Sequence, residues 1–400
     1  MTHAAITGVG AVSALGVGAE TLHRRWAAGA CGIADGRGAC DAFDPAVALS
    51  AKSARRMHRC VQMAIVAADE AIGQAWGETG APPYPPERVA CILGVAFGGM
   101  EVACEQYAAF RRDGADQVWT LTVPVGMPNA SPAALAIRYG LRGETYSIGT
   151  ACAAGAHAIG AGLRLLRAGS ADAVVVGGAE APVTDFLRAA FTKAGALSRQ
   201  GVSRPFDRRR DGFVLGEGAG ILVLEDPAKA RERGADVLAS VNGYGSTTDA
   251  HHLTAPLDGG EMCARAIALA LADAGLAPEA VDYVNAHGTG TTSNDRAETV
   301  ALKRALGAHA YAVPVSAPKS VLGHSIGAAG AVEAVAAVMA LRDRIAHPTV
   351  GHEVPEEGLD LNYVAGEPQP LVPRVEQQPL VGLSNSFAFG GHNVSLVLSA

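Results

Sequence analysis

The chain has 400 residues, of which 49% are hydrophobic and 18% are charged, so it can bury a large core. Its net charge of −7 at pH 7 argues against general binding to nucleic acid or to an anionic membrane surface. The longest apolar helix candidate, 327–341, is too short to span a bilayer and contains Glu333. A strand pattern begins almost at once, with no charged and then apolar leader before it, so we expect a cytoplasmic protein.

Strand-like and helix-like patterns alternate along the chain, which is typical of an α/β fold with largely parallel strands. The predicted strands are 4–10, 89–95, 144–148, 173–176, 220–224, 238–244, 281–285, 313–316, 380–383 and 394–398. Two Gly/Ala-rich segments, 156–166 and 331–341, are predicted as buried helices.

The order of elements repeats within the chain. A strand, a small-residue turn and a Gly/Ala-rich helix occur around Cys152 and again around 323–330. The glycine-containing strand patterns 173–178 and 380–385 form a second matching pair. We therefore predict two similar halves, 1–240 and 241–400, with a site between them.

Cys152 is the candidate nucleophile, because it stands where a strand turns into a helix. The unpaired amides and the dipole of a helix start favour a thiolate over a thiol, and small neighbours leave room for a substrate. The remaining cysteines form no CxxC pair and no zinc-like spacing, so we predict inert thiols and no metal site; they are residues 31, 40, 60, 91, 104 and 263.

Three later motifs each end a predicted strand. They are 284–291, with a histidine and two threonines; 318–325, with a lysine five residues before a histidine; and 385–393, a glycine-rich turn with two phenylalanines. A lone buried histidine is usually structural, but His287 and His324 together with Cys152 indicate a catalytic site. Histidines without such a setting are expected at the surface; they are residues 3, 23, 58, 309 and 352.

These motifs resemble those of the β-ketoacyl-acyl carrier protein synthases, the ketosynthases. The resemblance runs from 6–10 to 389–391 and includes 203–207 and 210–218. It implies an α/β, thiolase-like fold in which two βαβαβαββ halves form a layered α-β-α-β-α core. It also implies substrates carried on the phosphopantetheine arm of acyl carrier protein, and no further cofactor. True thiolases have a second cysteine in the last motif, which this chain lacks.

The resemblance implies a Cys-His-His site. Cys152 would accept the acyl chain, and His287 and His324 would donate hydrogen bonds to the thioester carbonyl while malonyl loses CO₂. The backbone amides of Cys152 and Phe389 would form the oxyanion hole. Phe389 would also act as a gate between the acyl and malonyl stages.

The resemblance also implies roles for neighbouring polar residues. Lys319, Glu298 and Glu333 match positions that support the histidines, although an ordinary buried ion-pair network is an equally good interpretation. Thr289 and Thr291 would bind the phosphopantetheine arm.

An acidic carrier protein must dock on a chain that is itself negative, which requires a local basic patch. One candidate is a single helix with four basic residues, and the other is a loop with three arginines. They are Lys52, Arg55, Arg56 and Arg59, and Arg208, Arg209 and Arg210. Each run could equally be a solvated charged face.

Two known kinds of ketosynthase are candidates for the subtype of this chain. Residues 294–299 and 303–316 look most like ketosynthase subunits of type II polyketide synthases, which pair with a silent chain-length partner. Residues 153–155 are closer to the fatty-acid elongation type, and Ala388 and His392 differ from the commoner Gly and Thr. We expect a heterodimeric polyketide ketosynthase, with a homodimeric elongation synthase as the alternative. A third hypothesis, a non-catalytic partner subunit, is at odds with the intact cysteine and histidines.

Overall fold

The strands and helices described here come from a computed structural model that describes residues 3–373 and 378–400. The strands are β1 Ala4–Ser13, β2 Gly16–Val17, β3 Val89–Gly94, β4 Thr145–Ile148, β5 Ala173–Glu180, β6 Gly218–Glu225, β7 Ala239–Thr248, β8 Tyr283–Asn285, β9 Val315–Ser316, β10 Ile345–Ala346, β11 Gln369–Pro370, β12 Val381–Ala388 and β13 His392–Ser399. The α-helices are α1 Ala19–Ala27, α2 Ala51–Ala54, α3 Arg59–Trp76, α4 Met100–Asp113, α5 Thr122–Gly126, α6 Ala130–Tyr139, α7 Ala154–Arg167, α8 Asp185–Lys193, α9 Pro227–Glu232, α10 Glu261–Ala274, α11 Thr292–Leu306, α12 Lys319–Leu322 and α13 Ala329–Asp343. Within these described ranges, no helix is both long enough and apolar enough to cross a membrane.

Ten strands form two five-stranded sheets of the same design that hydrogen-bond to each other along one seam. An eleventh strand, β2, pairs with β1, so all eleven belong to one hydrogen-bonded sheet. The orders of the two five-stranded sheets are β4-β3-β5-β6-β1 and β7-β13-β12-β8-β9, and they join where residues 4–6 of β1 pair with residues 239–241 of β7. Counted outward from the seam, both sheets have two antiparallel pairings followed by two parallel ones. The predicted similarity of the halves is therefore confirmed. The division at residue 240 falls inside β7 and stays a prediction.

The expectation of largely parallel strands is wrong, since each sheet is half antiparallel. The reason is that β5 and β6 are buried along their whole length, as are β1 and nearly all of β12. Strands covered on both faces show no alternation of polar and apolar residues, so their sequences do not reveal direction.

The helices form three layers around the two sheets. Helices α7 and α13 lie between the sheets and contact strands of both. Helices α3 and α6 cover the outer face of the first sheet, whereas α10, with α11 against it, covers the second. The expected α-β-α-β-α arrangement is therefore present.

The two central helices approach each other closely at paired glycines. A Cβ atom on Gly155 of α7 would lie 2.7 Å from the amide nitrogen of Ala331. One on Gly330, just inside α13, would lie 2.9 Å from the amide nitrogen of Ala156. This mutual contact explains the small-residue composition of both segments.

Each central helix begins at the same strained turn. Ala151, one residue before Cys152, has φ 47°, and Ile326, one residue before Gly327, has φ 46°. Positive φ is unfavourable for residues with a Cβ atom and is retained where the surroundings fix it. The repeat read from the sequence is thus present in the backbone, and it places Cys152 between the two halves.

Two histidines expected at the surface are buried. His23 lies on the apolar face of α1, where its Nδ1 is 2.9 Å from Nε2 of His347. His58 is the N-cap of α3 and is 6% exposed. The other three are either exposed or half-buried: His3, His309 and His352.

Candidate active site

Cys152 and His324 face each other at the starts of the two central helices. Cys152 lies in a short turn, Ala151–Ala153, that leads directly into α7 and leaves 7% of the residue exposed. Its Sγ is 3.0 Å from Nε2 of His324. The amide of Ile326 donates to Nδ1 of His324 at 3.2 Å, so the ring proton is on Nε2 and points at the sulfur.

His287 is fixed in the same tautomer by a lysine. It follows β8, and its Nδ1 lies 3.2 Å from Nζ of Lys319, an ammonium that can only donate. Lys319 also donates to the carbonyl of His287 at 2.6 Å. The rings of His287 and His324 meet edge to face with centroids 5.6 Å apart. Both Nε2–H groups are therefore available as donors in one place.

Both histidines are neutral. Burial, with a further contribution from the charge of Lys319, holds the pKa of His287 and of His324 well below 6.5. The structure thus brings together the three predicted catalytic residues, and both histidines have the neutral state that the expected chemistry requires. Their catalytic roles remain predictions.

Lys319, Glu298 and Glu333 lie behind the histidines and do not reach the cavity wall. Lys319 forms an interior ion pair with Glu333, and both are almost completely buried. Glu298 accepts hydrogen bonds from the amides of His287 and Gly288, both at 2.8 Å. Burial raises the pKa of Glu298 and of Glu333 to about 7, which the charge of Lys319 opposes. Their contacts hold His287 through Lys319 and Glu298, and a supporting role in catalysis stays a prediction beside the alternative of an ordinary buried ion-pair network.

Cys152 is a thiol at rest, contrary to the expectation of a thiolate. Burial raises its pKa to about 11, although Lys319 and the backbone amides of Phe389 and Cys152 lower it. Removing the sulfur from water therefore outweighs the favourable helix start. The amides of Phe389 and Cys152, the two donors of the predicted oxyanion hole, both lower the pKa of this sulfur, and the oxyanion hole itself stays a prediction.

A cavity of about 460 Å³ opens onto the sulfur and both histidines. Thr289 and Thr291 lie on its wall, as expected for residues that bind a substrate arm, and so does Phe389. Thr291 is also the N-cap of α11, where its side chain accepts from the amide of Asn294.

One wall of the cavity is a row of aromatic rings that the sequence did not reveal. The rings meet edge to face in sequence. The distance between ring centroids is 5.0 Å for Phe213 and His324, 5.6 Å for Phe191 and Phe213, and 6.1 Å for Phe97 and Phe191. This wall suits an apolar acyl chain. Of the three phenylalanines, only Phe213 lies in a motif noted in the sequence, residues 210–218. The other two lie in segments with no distinctive pattern.

The glycine-rich turn Phe389–Gly391 is held by a neighbouring loop. The amide of Gly390 donates to the carbonyl of Leu253 at 2.8 Å, and the backbone amide of Asp249 donates to the carbonyl of Gly391 at 2.9 Å. Asn393 donates to a carboxylate oxygen of Asp249 at 2.6 Å. Asp249 and Asn393 both line the cavity. Neither was predicted as a site residue, because nothing in the sequence shows that these two segments meet.

The first basic run is not one helix. Helix α2 ends at Ala54, with Lys52 inside it, and α3 begins only at Arg59, after the His58 cap. The guanidinium of Arg59 binds the carboxylate of Glu217 at 2.8 Å, so its charge is already engaged. The two arginines between the helices are exposed and make no ion pair within the described part of the chain; they are Arg55 and Arg56.

The second run is also mostly engaged. Arg209 pairs with Asp207 and Glu353. Arg210 is buried, with a side chain 1% exposed and bound to Glu356, and cannot contact a partner. Within residues 3–373 and 378–400, Arg208 is the one arginine of this run that is exposed and makes no ion pair.

No group of three or more metal-ligating side chains occurs in the described ranges, and all seven cysteines are free. The expectation that the chemistry needs no metal and no cofactor stays a prediction.

Family models match both halves of the chain. Residues 37–230 match the family model of the beta-ketoacyl synthase N-terminal domain, and residues 238–353 match that of the C-terminal domain. The 3-oxoacyl-[acyl-carrier-protein] synthase 2 of Synechocystis sp. is 39% identical over 98% of this chain and 96% of its own.

Two solved structures match the chain along its whole length. One, the ishigamide ketosynthase/chain length factor, has a TM-score of 0.89 and 32% identity. The other, a type II polyketide synthase acyl-carrier protein in complex with its ketosynthase bound to the hexaketide, has a TM-score of 0.88 and 28% identity. Each covers 100% of this chain and 99% of the matched one. The expected fold class and family resemblance are confirmed.

Proposed function

The chain belongs to the β-ketoacyl synthase family, and we propose that it is the ketosynthase subunit of a type II polyketide synthase. It is an acyltransferase of the 3-oxoacyl-acyl carrier protein synthase class. In the proposed reaction, malonyl units on acyl carrier protein extend an acyl chain held on Cys152. The observation that carries this proposal is the approach of Cys152 Sγ to His324 Nε2 at 3.0 Å, with His287 beside them in one cavity.

The first step is transfer of the acyl group to Cys152. The sulfur attacks the thioester carbonyl, a new carbon–sulfur bond forms, and the phosphopantetheine thiol leaves with the proton that the cysteine gives up. The backbone amides of Cys152 and Phe389 stabilise the oxyanion of the tetrahedral intermediate. His324 donates its Nε2–H to the sulfur and so favours loss of the thiol proton.

The second step is decarboxylation of the malonyl thioester. Its carbon–carbon bond breaks, CO₂ leaves, and the electron pair remains as an enolate. The Nε2–H groups of His287 and His324 donate to the enolate oxygen, and they keep their protons because Nδ1 of each ring is occupied. The enolate carbon then attacks the acyl carbonyl on Cys152, the new carbon–carbon bond forms, and the bond to the sulfur breaks. The sulfur leaves as a thiolate and takes one proton from water, which restores the resting thiol.

Two lines of support favour the polyketide subtype. The first is the likeness of residues 294–299 and 303–316 to ketosynthase subunits of type II polyketide synthases. These residues form most of α11 and the segment that ends at β9. The two matched structures, by their descriptions, contain a ketosynthase together with a type II carrier protein or with a chain length factor.

A homodimeric fatty-acid elongation synthase is the second candidate, and a specific observation favours it. Relatives from Synechocystis sp. and Coxiella burnetii, both called 3-oxoacyl-[acyl-carrier-protein] synthase 2, are 39% and 40% identical to the chain. Both values exceed the 32% and 28% of the two polyketide structures.

A partner chain would cover an exposed edge of the first sheet. Strand β4 ends that sheet and pairs only with β3 in the described structure, and Tyr146 on it is 37% exposed. Nearby in sequence, α4 has no buried residue, and its Tyr107 and Phe110 are exposed. An unpaired strand edge and exposed aromatic side chains are typical of an interface. We propose a chain-length-factor-like subunit as the occupant, with a second copy of this chain as the alternative.

Reconstitution distinguishes the two subtypes. The purified chain, alone and with a candidate partner, is incubated with an acyl carrier protein thioester and malonyl carrier protein, and the intact mass of the carrier-bound product is measured. A polyketide ketosynthase adds several two-carbon units without any reductase, and needs the partner to do so. An elongation synthase adds one unit as a homodimer and stops at the 3-oxo product. Condensation by Cys152→Ala in the presence of the partner would place the catalysis in the other subunit.

A further inference from the structure

Two loops that follow equivalent strands of the two halves both line the cavity. One follows β3 and comprises residues 96–98, and the other follows β8 and contains His287 and Thr289. Ala96 and Phe97 of the first loop and both named residues of the second line the cavity. The first loop belongs to the aromatic wall, whereas the second carries the decarboxylation donor.

Glu180 holds the first loop through its backbone. It is the last residue of β5, is 0% exposed, and accepts hydrogen bonds from the amides of Ala96 at 2.6 Å, Phe97 at 3.1 Å and Gly98 at 3.0 Å. The backbone of Gly327 lies against the same carboxylate, and its N–H helps to lower the pKa of Glu180. Since Gly327 lies in the turn that leads into the buried helix α13, Glu180 connects the loop to the centre of the fold.

The second loop is held in the same way by a glutamate from a different element. Glu298, on α11, accepts from the amides of His287 and Gly288. In each half, therefore, a buried carboxylate fixes the loop that ends the equivalent strand. A carboxylate accepts at both oxygens, whereas a glutamine amide would turn donors toward the backbone N–H groups. Burial raises the pKa of Glu180 to about 7, and the four amides oppose that shift.

We propose that Glu180 is a positioning residue for acyl loading: it fixes the 96–98 loop beside Cys152 for the acyl stage, as Glu298 fixes the His287 loop for the malonyl stage. This inference rests on the proposed ketosynthase function. The step concerned is attack of the Cys152 sulfur on the acyl thioester, with departure of the carrier thiol. The effect arises because Ala96 and Phe97 form part of the wall against which an acyl chain lies.

The test measures the two partial reactions separately in Glu180→Gln and Glu298→Gln. Acyl loading is the rate of mass gain on the protein from an acyl carrier protein, and decarboxylation is CO₂ release from malonyl carrier protein with no acyl donor. We expect Glu180→Gln to slow loading about tenfold, the effect of losing charge-assisted hydrogen bonds, and to leave CO₂ release within about twofold. Glu298→Gln should show the reverse pattern.

A second variant protects the test against a folding defect. Gly98 has φ 58°, and a Cβ atom there would lie 3.0 Å from Cα of Pro128, so Gly98→Ala displaces the loop while leaving Glu180 in place. It should also slow loading selectively, and amide hydrogen exchange of residues 95–99 should accelerate in both variants.

Three outcomes have distinct meanings. Equal loss of both partial reactions in folded Glu180→Gln and in Gly98→Ala, or loss of neither, overturns the inference while the ketosynthase function stands. Failure of the unaltered protein to load or to decarboxylate overturns the proposed function and the inference together. Selective loss of loading supports both.

Discussion

His324 and Cys152, from opposite halves of the chain, are joined by a contact of 3.0 Å in which the histidine is the donor. The direction is fixed because the amide of Ile326 occupies the other ring nitrogen. A donor at the sulfur stabilises a thiolate as it forms, which matters for a thiol whose pKa burial raises to about 11. Because the cysteine comes from the first half and the histidine from the second, the site needs both halves of the chain.

The first prediction concerns the pH dependence of Cys152. Because its pKa is raised, the thiolate fraction, and with it the rate of alkylation by iodoacetamide, should rise about tenfold per pH unit from pH 7 to 9. Lys319→Met should slow the reaction further, because Lys319 lowers this pKa. Peptide mapping by mass spectrometry reports the site, and Cys31→Ser controls for an exposed thiol. A rate that levels off by pH 7 would contradict the raised pKa.

The second prediction separates stability from activity at the buried ion pair. Lys319→Met leaves Glu333 buried without its partner and should lower the free energy of unfolding by about 3 kcal/mol. The double variant Lys319→Met/Glu333→Leu should recover most of that stability, as urea unfolding would show. Decarboxylation should remain impaired in both, since His287 loses its donor at Nδ1. Recovery of CO₂ release in the double variant would assign Lys319 a structural role only.

The third prediction concerns the central helix contact. Gly155→Ala places a Cβ atom 2.7 Å from the backbone of Ala331 and should lower the free energy of unfolding by about 1–3 kcal/mol. Gly73→Ala, inside α3, is a matched control, because no atom lies within 4 Å of the added carbon. That change should leave stability equal or raise it by up to about 1 kcal/mol, since alanine favours a helix. Equal effects of the two substitutions in thermal unfolding would refute this packing.

The fourth prediction concerns carrier docking. Charge reversal at Arg56 or Arg208 should raise the KM for acyl carrier protein about tenfold and leave a small thioester surrogate unaffected. Arg59→Glu should act differently, lowering stability because it sets a carboxylate beside the buried Glu217. Unchanged carrier kinetics in both Arg56→Glu and Arg208→Glu would rule out these two positions.

The sequence predicted the site better than its surroundings. Cys152 could be placed at a helix start because strand formers precede it and small residues follow it, and the two histidines stand in glycine-rich segments at strand ends. These are local patterns, and the repeated turn at Ala151 and Ile326 preserves them in three dimensions.

Other features depend on contacts between distant segments. The engagement of Arg59 by Glu217 joins positions 158 residues apart, and the sequence shows no trace of it. The raised pKa of Cys152 arises from burial by several elements at once, which no local motif encodes. The same is true of Phe97 and Phe191, which meet only because their segments reach the same cavity wall.

The role of Cys152 is tested most directly by the mass of the intact protein after incubation with an acyl carrier protein thioester. The protein should gain the mass of one acyl group per chain, located at Cys152 by peptide mapping and absent from Cys152→Ala. An acyl group on Cys152→Ala, or none on the unaltered chain, would show that this sulfur does not carry the substrate.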